Sequence, residues 1–247
     1  FALIPPKISF DAYNFIRLDP GRIVKAYSVT LTTTTVGTTV GLLVMSMLAY
    51  ALSRQDFGWR RPLSFFVIFT MLFHGGLIPT YILVTQTLRL KDSLLALILP
   101  YLVVPWYVFL LRTYFATLPK ELIESAKIDG ASEWRVFFQI VIPLSTPALA
   151  TVGLFCILMY WNDWWLPLLY IDSPDKFPLQ YLLYSIQKSA EFLTTGEASA
   201  MLQAIELPVQ SMRMAMAVIA MGPIAIVFLA LQRYFVRGML VGSLKGE

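Results

Sequence analysis

Of the 247 residues, 57% are hydrophobic and 14% charged, and the mean hydropathy is +0.68. A water-soluble globular chain carries about a quarter charged residues, so the composition excludes a soluble domain, while 6 Trp, 12 Tyr and 17 Phe spread along the chain exclude disorder. A net charge of +4 with no clustered Lys/Arg run excludes a nucleic-acid footprint, and the single Cys156 excludes a disulfide framework or a cysteine metal site.

The bilayer is left as the solvent for the apolar surface. The chain opens on Phe1 without a signal peptide, so it is expected to begin inside a longer protein, with one span preceding it. A spanning helix needs about 20 mostly apolar residues, and stretches bounded by charge predict five. After a segment at 1–25, the first is 26–53, charge-free between Lys25 and Arg54. Its threonines from Thr30 to Thr39 read best as hydroxyls bonded back to their own helix, beside small residues that allow close helix contact. The second is 62–88, with His74 its notable ionisable group, and the third is 93–117. The fourth is 141–171, interrupted by Asp163, and the fifth is 213–235. Pro79, Pro100, Pro105, Pro147, Pro167 and Pro223 are expected to kink these spans rather than end them. Between the last two lies a polar segment, 172–212, with a helix expected around Gln180–Phe192, and a tail follows at 236–247. Lys and Arg divide almost evenly between the two sides; Arg54, Arg60 and Arg61, grouped in one short loop, favour that side as cytoplasmic.

Residues 119–143, PKELIESAKIDGASEWRVFFQIVIP, differ from their surroundings. Pro119 suits a helix start, Glu121 and Glu124 its N-terminal end, and Gly130 a left-handed stop. Ser132 then caps a second short helix, which Pro143 is expected to close. Leu122, Ile123 and Ala126 form one apolar side, and Trp134, Phe137 and Phe138 anchor the second helix. By periodicity alone the unit is an amphipathic hairpin resting on headgroups.

The spacing within it is more particular. Glu124-Ser125-Ala126, then Gly130, then Ile140-Val141-Ile142-Pro143 resembles the EAA loop of permease subunits of binding-protein-dependent ABC importers, with Ser125 in place of an alanine and Ile142 of a leucine. The segments Phe73–Tyr81 (FHGGLIPTY), Trp161-Asn162-Asp163-Trp164, Phe177–Gln180 (FPLQ) and Gln232–Gly246 are similar to the carbohydrate-uptake branch of that family, and within it to the LplC-related group that includes an alginate importer.

The resemblance implies an all-α polytopic membrane protein with the type I ABC importer permease fold, carrying five spans here and a sixth N-terminal one before Phe1. It implies a transport subunit rather than an enzyme, set in the bacterial inner membrane and paired with a second homologous permease. Residues 119–138 become cytoplasmic coupling helices, with Glu121, Glu124, Ser125, Ala126, Asp129, Gly130 and Ala131 at an ATPase. Among these Glu124 is the main polar contact or brace; Arg237 and Lys245 of the tail read equally as basic residues anchoring the end of a span and, by the resemblance, as further ATPase contacts. Two ATP-binding subunits hold ATP and Mg, in keeping with the lack of a G-x-x-x-x-G-K-[ST] sequence, and no cofactor belongs to this chain. A periplasmic solute-binding protein docks on 172–212 and delivers an oligosaccharide, an acidic one derived from alginate or pectin. Arg17, Arg22, Lys176 and Lys188 on the outer side are compatible with such a substrate and equally with a solvated surface.

For the substrate pathway the candidates are His74, Trp161, Asn162, Asp163, Trp164 and Trp165. Flat aromatics beside amide and carboxylate suit a sugar face, and an interfacial aromatic belt accounts for the tryptophans equally well. Asp163 leans towards a structural bond, and His74 towards a backbone carbonyl. A secondary transporter would need several buried acids, and an intramembrane enzyme a third partner for His74 and Asp163; the sequence supplies neither. No metal-ligand spacing is present.

Overall fold

The computed structural model describes residues 20–195, 211, 214–226 and 228–229, and among them the regular structure is helical, without strands. Helix α1 is Pro20–Ser53. It is followed by α2 (Arg60–Leu72), α3 (Leu77–Thr87), α4 (Leu95–Tyr101) and α5 (Pro105–Phe115). A hairpin of α6 (Lys120–Ile128) and α7 (Glu133–Leu144) leads into α8 (Thr146–Trp161) and α9 (Trp165–Tyr170). Helices α10 (Leu179–Thr195) and α11 (Met214–Ile226) complete the described part.

Among the described residues helix α1 alone is long and apolar enough to cross a membrane; α2 with α3, α4 with α5 and α7 with α8 reach that character only as bent pairs. The bends are 112°, 50° and 82°, larger than the kinks the prolines suggest. The reason is where the breakers sit. Pro105 and Pro147 occupy the first turns of α5 and α8, where the missing N–H costs nothing and a new helix starts in a new direction. Between α2 and α3 the chain is unwound over Phe73–Gly76, with Gly76 at φ +90°. Pro143, by contrast, does not close its helix: α7 passes through it to Leu144 after a π turn at Phe137–Val141, and the corner falls at the buried Ser145.

With 34 residues and 1.5 Å per residue, α1 is about 51 Å long and forms the spine. Its inward face carries Ala26, Val29, Thr30, Thr33, Thr34, Gly37, Gly41, Met45 and Ala49 at helical spacing. Gly37 and Gly41 form a small-xxx-small pair, letting α1 approach the Tyr160 ring of α8 and the Leu102 carbonyl between α4 and α5. Thr30 Oγ1 donates to Ala26 O at 2.9 Å, and Thr33 Oγ1 to Val29 O at 3.0 Å. Thr30 Oγ1 also accepts from Leu179 N at 2.8 Å, satisfying an amide at the start of α10.

The two ends of α1 differ. Near Lys25, which pairs with Asp175 at 2.7 Å, the chain is knotted around Asp92, itself in the left-handed region at φ +56°. Its carboxylate accepts from Asp172 N, Ser173 N, Ser173 Oγ and Lys176 Nζ, at 3.2, 3.0, 2.6 and 2.7 Å. The Lys176 and Ser173 bonds hold Asp92 well below the usual carboxylate range. Lys176 is thereby committed to the knot. At the Ser53 end sits the α6–α7 hairpin.

Candidate functional site

Helix α6 begins after Pro119, with Glu121 in its first turn and Lys127 in its last, both in accord with the helix dipole. It ends in a Schellman motif: Ala131 N donates to Ala126 O at 2.9 Å and Gly130 N to Lys127 O at 3.0 Å, with Gly130 at φ +79°. The Ser132 hydroxyl then accepts from Arg135 N at 3.4 Å to cap α7. Both turns follow from the sequence D-G-A-S alone.

The hairpin has two faces. Ile123, Val136, Phe137 and Val141 are buried in the main core with Met45, Ala49, Leu111, Phe115 and Val152, and Ala126 and Ala131 pack against that core. On the other face Glu121, Glu124, Ser125, Asp129 and Gly130 are exposed. Ile128 at the tip is 86% exposed, and Leu122, Trp134 and Phe138 are also exposed, with the rings of the last two stacked 6.1 Å apart.

A chain of polar contacts ties this hairpin to the end of α1. Arg54 grips Asp56 with two bonds, Nε to Oδ1 at 2.9 Å and Nη2 to Oδ2 at 2.6 Å. Lys127 Nζ reaches Asp56 Oδ2 at 3.2 Å and also pairs with Glu133 Oε1. Glu133 Oε2 accepts from the Tyr50 hydroxyl at 2.9 Å. Tyr50, Arg54, Asp56 and Glu133 border a cavity of about 310 Å³ floored by Met47, Trp134 and Phe137. A second cleft, of about 300 Å³, lies on the other side of Lys127 and is bordered by Glu124. Lys127 and Glu133 carry the ion pairs here, and Glu124 makes none among the described residues. Sequence reasoning passed over Tyr50, Arg54, Asp56, Lys127 and Glu133 as a set, because the contacts that join α1 to the hairpin lie 71 and 83 positions apart; only Arg54 with Asp56 and Lys127 with Glu133 are near neighbours in the chain.

The electrostatics fix when this clamp holds. The Arg54 hydrogen bond, then that of Lys127, keeps Asp56 well below the usual carboxylate range. Burial pushes Glu133 up, but Lys127 and Tyr50 together outweigh it and leave it lowered. The Glu133 bond holds the Lys127 ammonium above its ordinary value. A carboxyl depressed in the folded state adds stability above its unfolded pKa, which is lost as pH falls through the folded value. The clamp thus stays closed at neutral pH; its contribution begins to decline below about 4, where the unfolded carboxyls protonate, and is gone only when pH has fallen through the depressed folded values. The side chains of Lys127, Glu133 and Asp56 are 31%, 57% and 58% exposed, so solvent screens each pair. A double-mutant cycle of Lys127→Ala with Glu133→Ala, read from thermal unfolding, should give a coupling of about 0.5 kcal/mol; zero coupling would show that the pair braces nothing.

The other candidates gather at the opposite end. Trp161 is buried and donates from Nε1 to Ala220 O at 3.0 Å, a core bond rather than a surface group. Asp163 Oδ1 accepts from Trp165 N at 3.0 Å and Leu166 N at 3.3 Å, which makes it the cap of α9. Asn162 Oδ1 accepts from Gln180 Nε2 at 3.2 Å. Trp164 stacks on Tyr184 with centroids 4.8 Å apart and meets Trp165 edge-on. Trp164, Gln180, Tyr184 and Gln187 line a cleft of about 250 Å³, beside which Lys188 Nζ lies 6.0 Å from the Tyr184 ring. His74 is exposed in the unwound stretch between α2 and α3 and joins none of these groups. Arg237 and Lys245 lie outside the described residues.

Comparison with known proteins identifies the family and the fold. Residues 43–241 match the family described as the binding-protein-dependent transport system inner membrane component. The chain is 42% identical over 246 residues to the polygalacturonan/rhamnogalacturonan transport system permease protein YtcP of Bacillus subtilis (strain 168), covering all of this chain and 85% of that one. It is 41% identical to Protein LplC of the same organism, covering all of this chain and 82% of that one. Among solved structures, a bacterial ABC transporter involved in the import of the acidic polysaccharide alginate superposes with a TM-score of 0.81 at 29% identity, over 94% of this chain and 82% of that one. The helical architecture is thus the type I ABC permease fold, and the family works as the membrane part of a transporter with a partner permease, an ATPase and a binding protein. The chain belongs to the inner membrane components of binding-protein-dependent transport systems, as a transport subunit and not an enzyme.

Proposed function

We propose that this chain lines one half of the translocation pathway of an importer for an acidic oligosaccharide and couples it to ATP hydrolysis through the hairpin α6–α7. The observation that carries the coupling is the hairpin's two-sidedness: Ile123 is buried in the helix core with Ala126 and Ala131 packed against it, while Ile128 stands exposed among Glu121, Glu124, Ser125 and Asp129. An apolar tip ringed by carboxylates is the profile of a surface that a partner covers. Two ATP-binding subunits hold ATP and Mg in this reading, and a second homologous permease completes a heterodimer. Arg237 and Lys245 of the tail add ATPase contacts.

The hairpin and the 54–61 loop then face the bacterial cytoplasm, while the Asp92 knot and 172–212 face the periplasm and the solute-binding protein. Five spans follow: 26–53, 62–88, 93–117, 141–171 and 213–235. Asn162, Trp164, Gln180 and Tyr184 offer amide groups beside flat rings, which suits hydroxyl bonding and stacking on a pyranose, and Lys188 supplies a cation for a uronate. The relatives named for galacturonan and alginate transport support an acidic sugar. In proteoliposomes of the complete complex with its binding protein, galacturonate oligomers should accumulate on ATP addition and neutral oligomers of equal length should not. Trp164→Ala should cut the rate about tenfold, since one ring stack is worth about 1 kcal/mol or slightly more. Equal transport of neutral oligomers would overturn the acidic-sugar reading, and uptake by the lone chain would overturn the coupling.

A further inference from the structure

Beside the 54–61 loop, on the face away from the clamp, an open cleft of about 860 Å³ is lined by Arg60, Arg61 and Arg112, with Ser64, Phe65 and Ile68 of α2 along one wall. Three guanidiniums around one cleft repel each other unless something anionic lies between them. Nearby Arg54 has its carboxylate in Asp56; none of these three has one among the described residues. Arg60 commits Nε to Leu52 O at 3.0 Å, and Arg112 lies 5.6 Å over the Phe109 ring, which leaves the remaining N–H donors of both unspent. The Ser64 hydroxyl is buried without a hydrogen-bond partner, a second donor in want of an acceptor.

The apolar wall says what kind of anion. Phe65 and Ile68 begin a strip that continues along α2 through Phe69 and Leu72, all exposed, with Phe65, Phe69 and Phe73 in ring contact at 6.3 and 4.6 Å. A free phosphate or nucleotide has no use for such a strip; an acyl chain does. Asp56 of the same loop touches Lys127 of the hairpin, so the cleft lies on the hairpin's side of the membrane, cytoplasmic in the reading above, where anionic lipids gather and basic pockets between spans hold their headgroups. We infer that Arg60, Arg61 and Arg112 bind the headgroup phosphate of an anionic phospholipid of the inner leaflet, with its acyl chain laid along the aromatic strip of α2.

Native mass spectrometry of the complete complex, titrated with phosphatidylglycerol and separately with phosphatidylcholine, tests this. The wild-type complex should retain phosphatidylglycerol selectively. The variant Arg60→Gln/Arg61→Gln/Arg112→Gln should bind it roughly a hundredfold more weakly, about fivefold for each guanidinium, and Phe65→Ser/Ile68→Ser should also lose affinity with the arginines intact. Equal retention by the arginine variant would overturn the inference. So would displacement of the lipid by millimolar inorganic phosphate, which would make the site a free-anion site, or binding seen only after the ATPase subunits are removed, which would make a protein its occupant. ATP-driven uptake is measured on the same samples: loss of lipid with uptake retained leaves the coupling assignment standing, and lipid retained in an uncoupled hairpin variant leaves the lipid site standing.

Discussion

Gly130→Asp should leave the subunit folded and in the membrane while ATP-driven uptake falls to background. A Cβ at Gly130 meets nothing within 4 Å, so no clash arises. What the substitution adds is the cost of a side chain at φ +79°, about 1 kcal/mol for aspartate, which tolerates the left-handed region better than most residues. That is too little to unfold the hairpin. The larger effect is at the proposed docking face, where a new carboxylate beside Asp129 would have to be desolvated without a partner, costing roughly 3 kcal/mol or more. Docking to the ATPase should weaken by at least a hundredfold. The series separates the two terms: Gly130→Ala should show only the conformational part and a mild loss of uptake, and Gly130→Asn, close in backbone tolerance and uncharged, should transport better than Gly130→Asp. If all three behave alike, charge at the tip is irrelevant and the docking assignment loses its basis.

Gly41→Val should prevent stable folding. A Cβ there lies 2.8 Å from Leu102 O, a backbone atom that cannot swing aside, so α1 must move away from the α4–α5 junction. Such overpacking costs about 3 kcal/mol at a rigid site, and it loosens the contact on which the spine depends. Gly37 is hardly more forgiving: its Cβ would fall 2.5 Å from the Tyr160 ring, and that ring is held by its hydroxyl bond to Ile98 O at 2.9 Å. Gly153→Ala is the control. Its Cβ meets Leu42 Cδ2 at an ordinary 3.5 Å, and the gain in helix propensity is about 1 kcal/mol, so its unfolding midpoint in detergent should equal or exceed the wild type. A Gly41→Val chain as stable as Gly153→Ala would show that the close approach is not needed.

The contrast between these glycines marks what could be read from sequence. The turn at Gly130 and the cap at Ser132 depend on neighbours within five residues, and the D-G-A-S run announces both. Asp163 is legible in the same way: the sequence already leans towards a structural bond there, and acceptance from amides two and three positions on is a helix-cap pattern. Gly41 sits in a G-x-x-x-G spacing that states only that something comes close. That Leu102 is what comes close depends on how α4 and α5 fold back. The prolines announced breaks but not angles, since a restarted helix takes its direction from what it packs on. The Tyr50–Glu133, Lys127–Asp56 and Trp161–Ala220 contacts were out of reach because each joins segments far apart in the chain, and no local rule selects among possible partners.

The corner at Ser145 has a mechanical meaning. Helix α7, Glu133–Leu144, is 12 residues and so about 18 Å long, and it meets α8 at 82°. Two arms at nearly a right angle make a crank: a stroke delivered sideways to the hairpin becomes a twist of α8 about its own axis, whereas a stroke along the hairpin is spent at the joint. Turning α8 by about 10° takes about 3 Å of sideways travel at the far end of an 18 Å arm. Asn162 and Trp164 stand just beyond the other end of α8, so the same twist would swing the amide and indole faces around the pathway without any element sliding across the membrane.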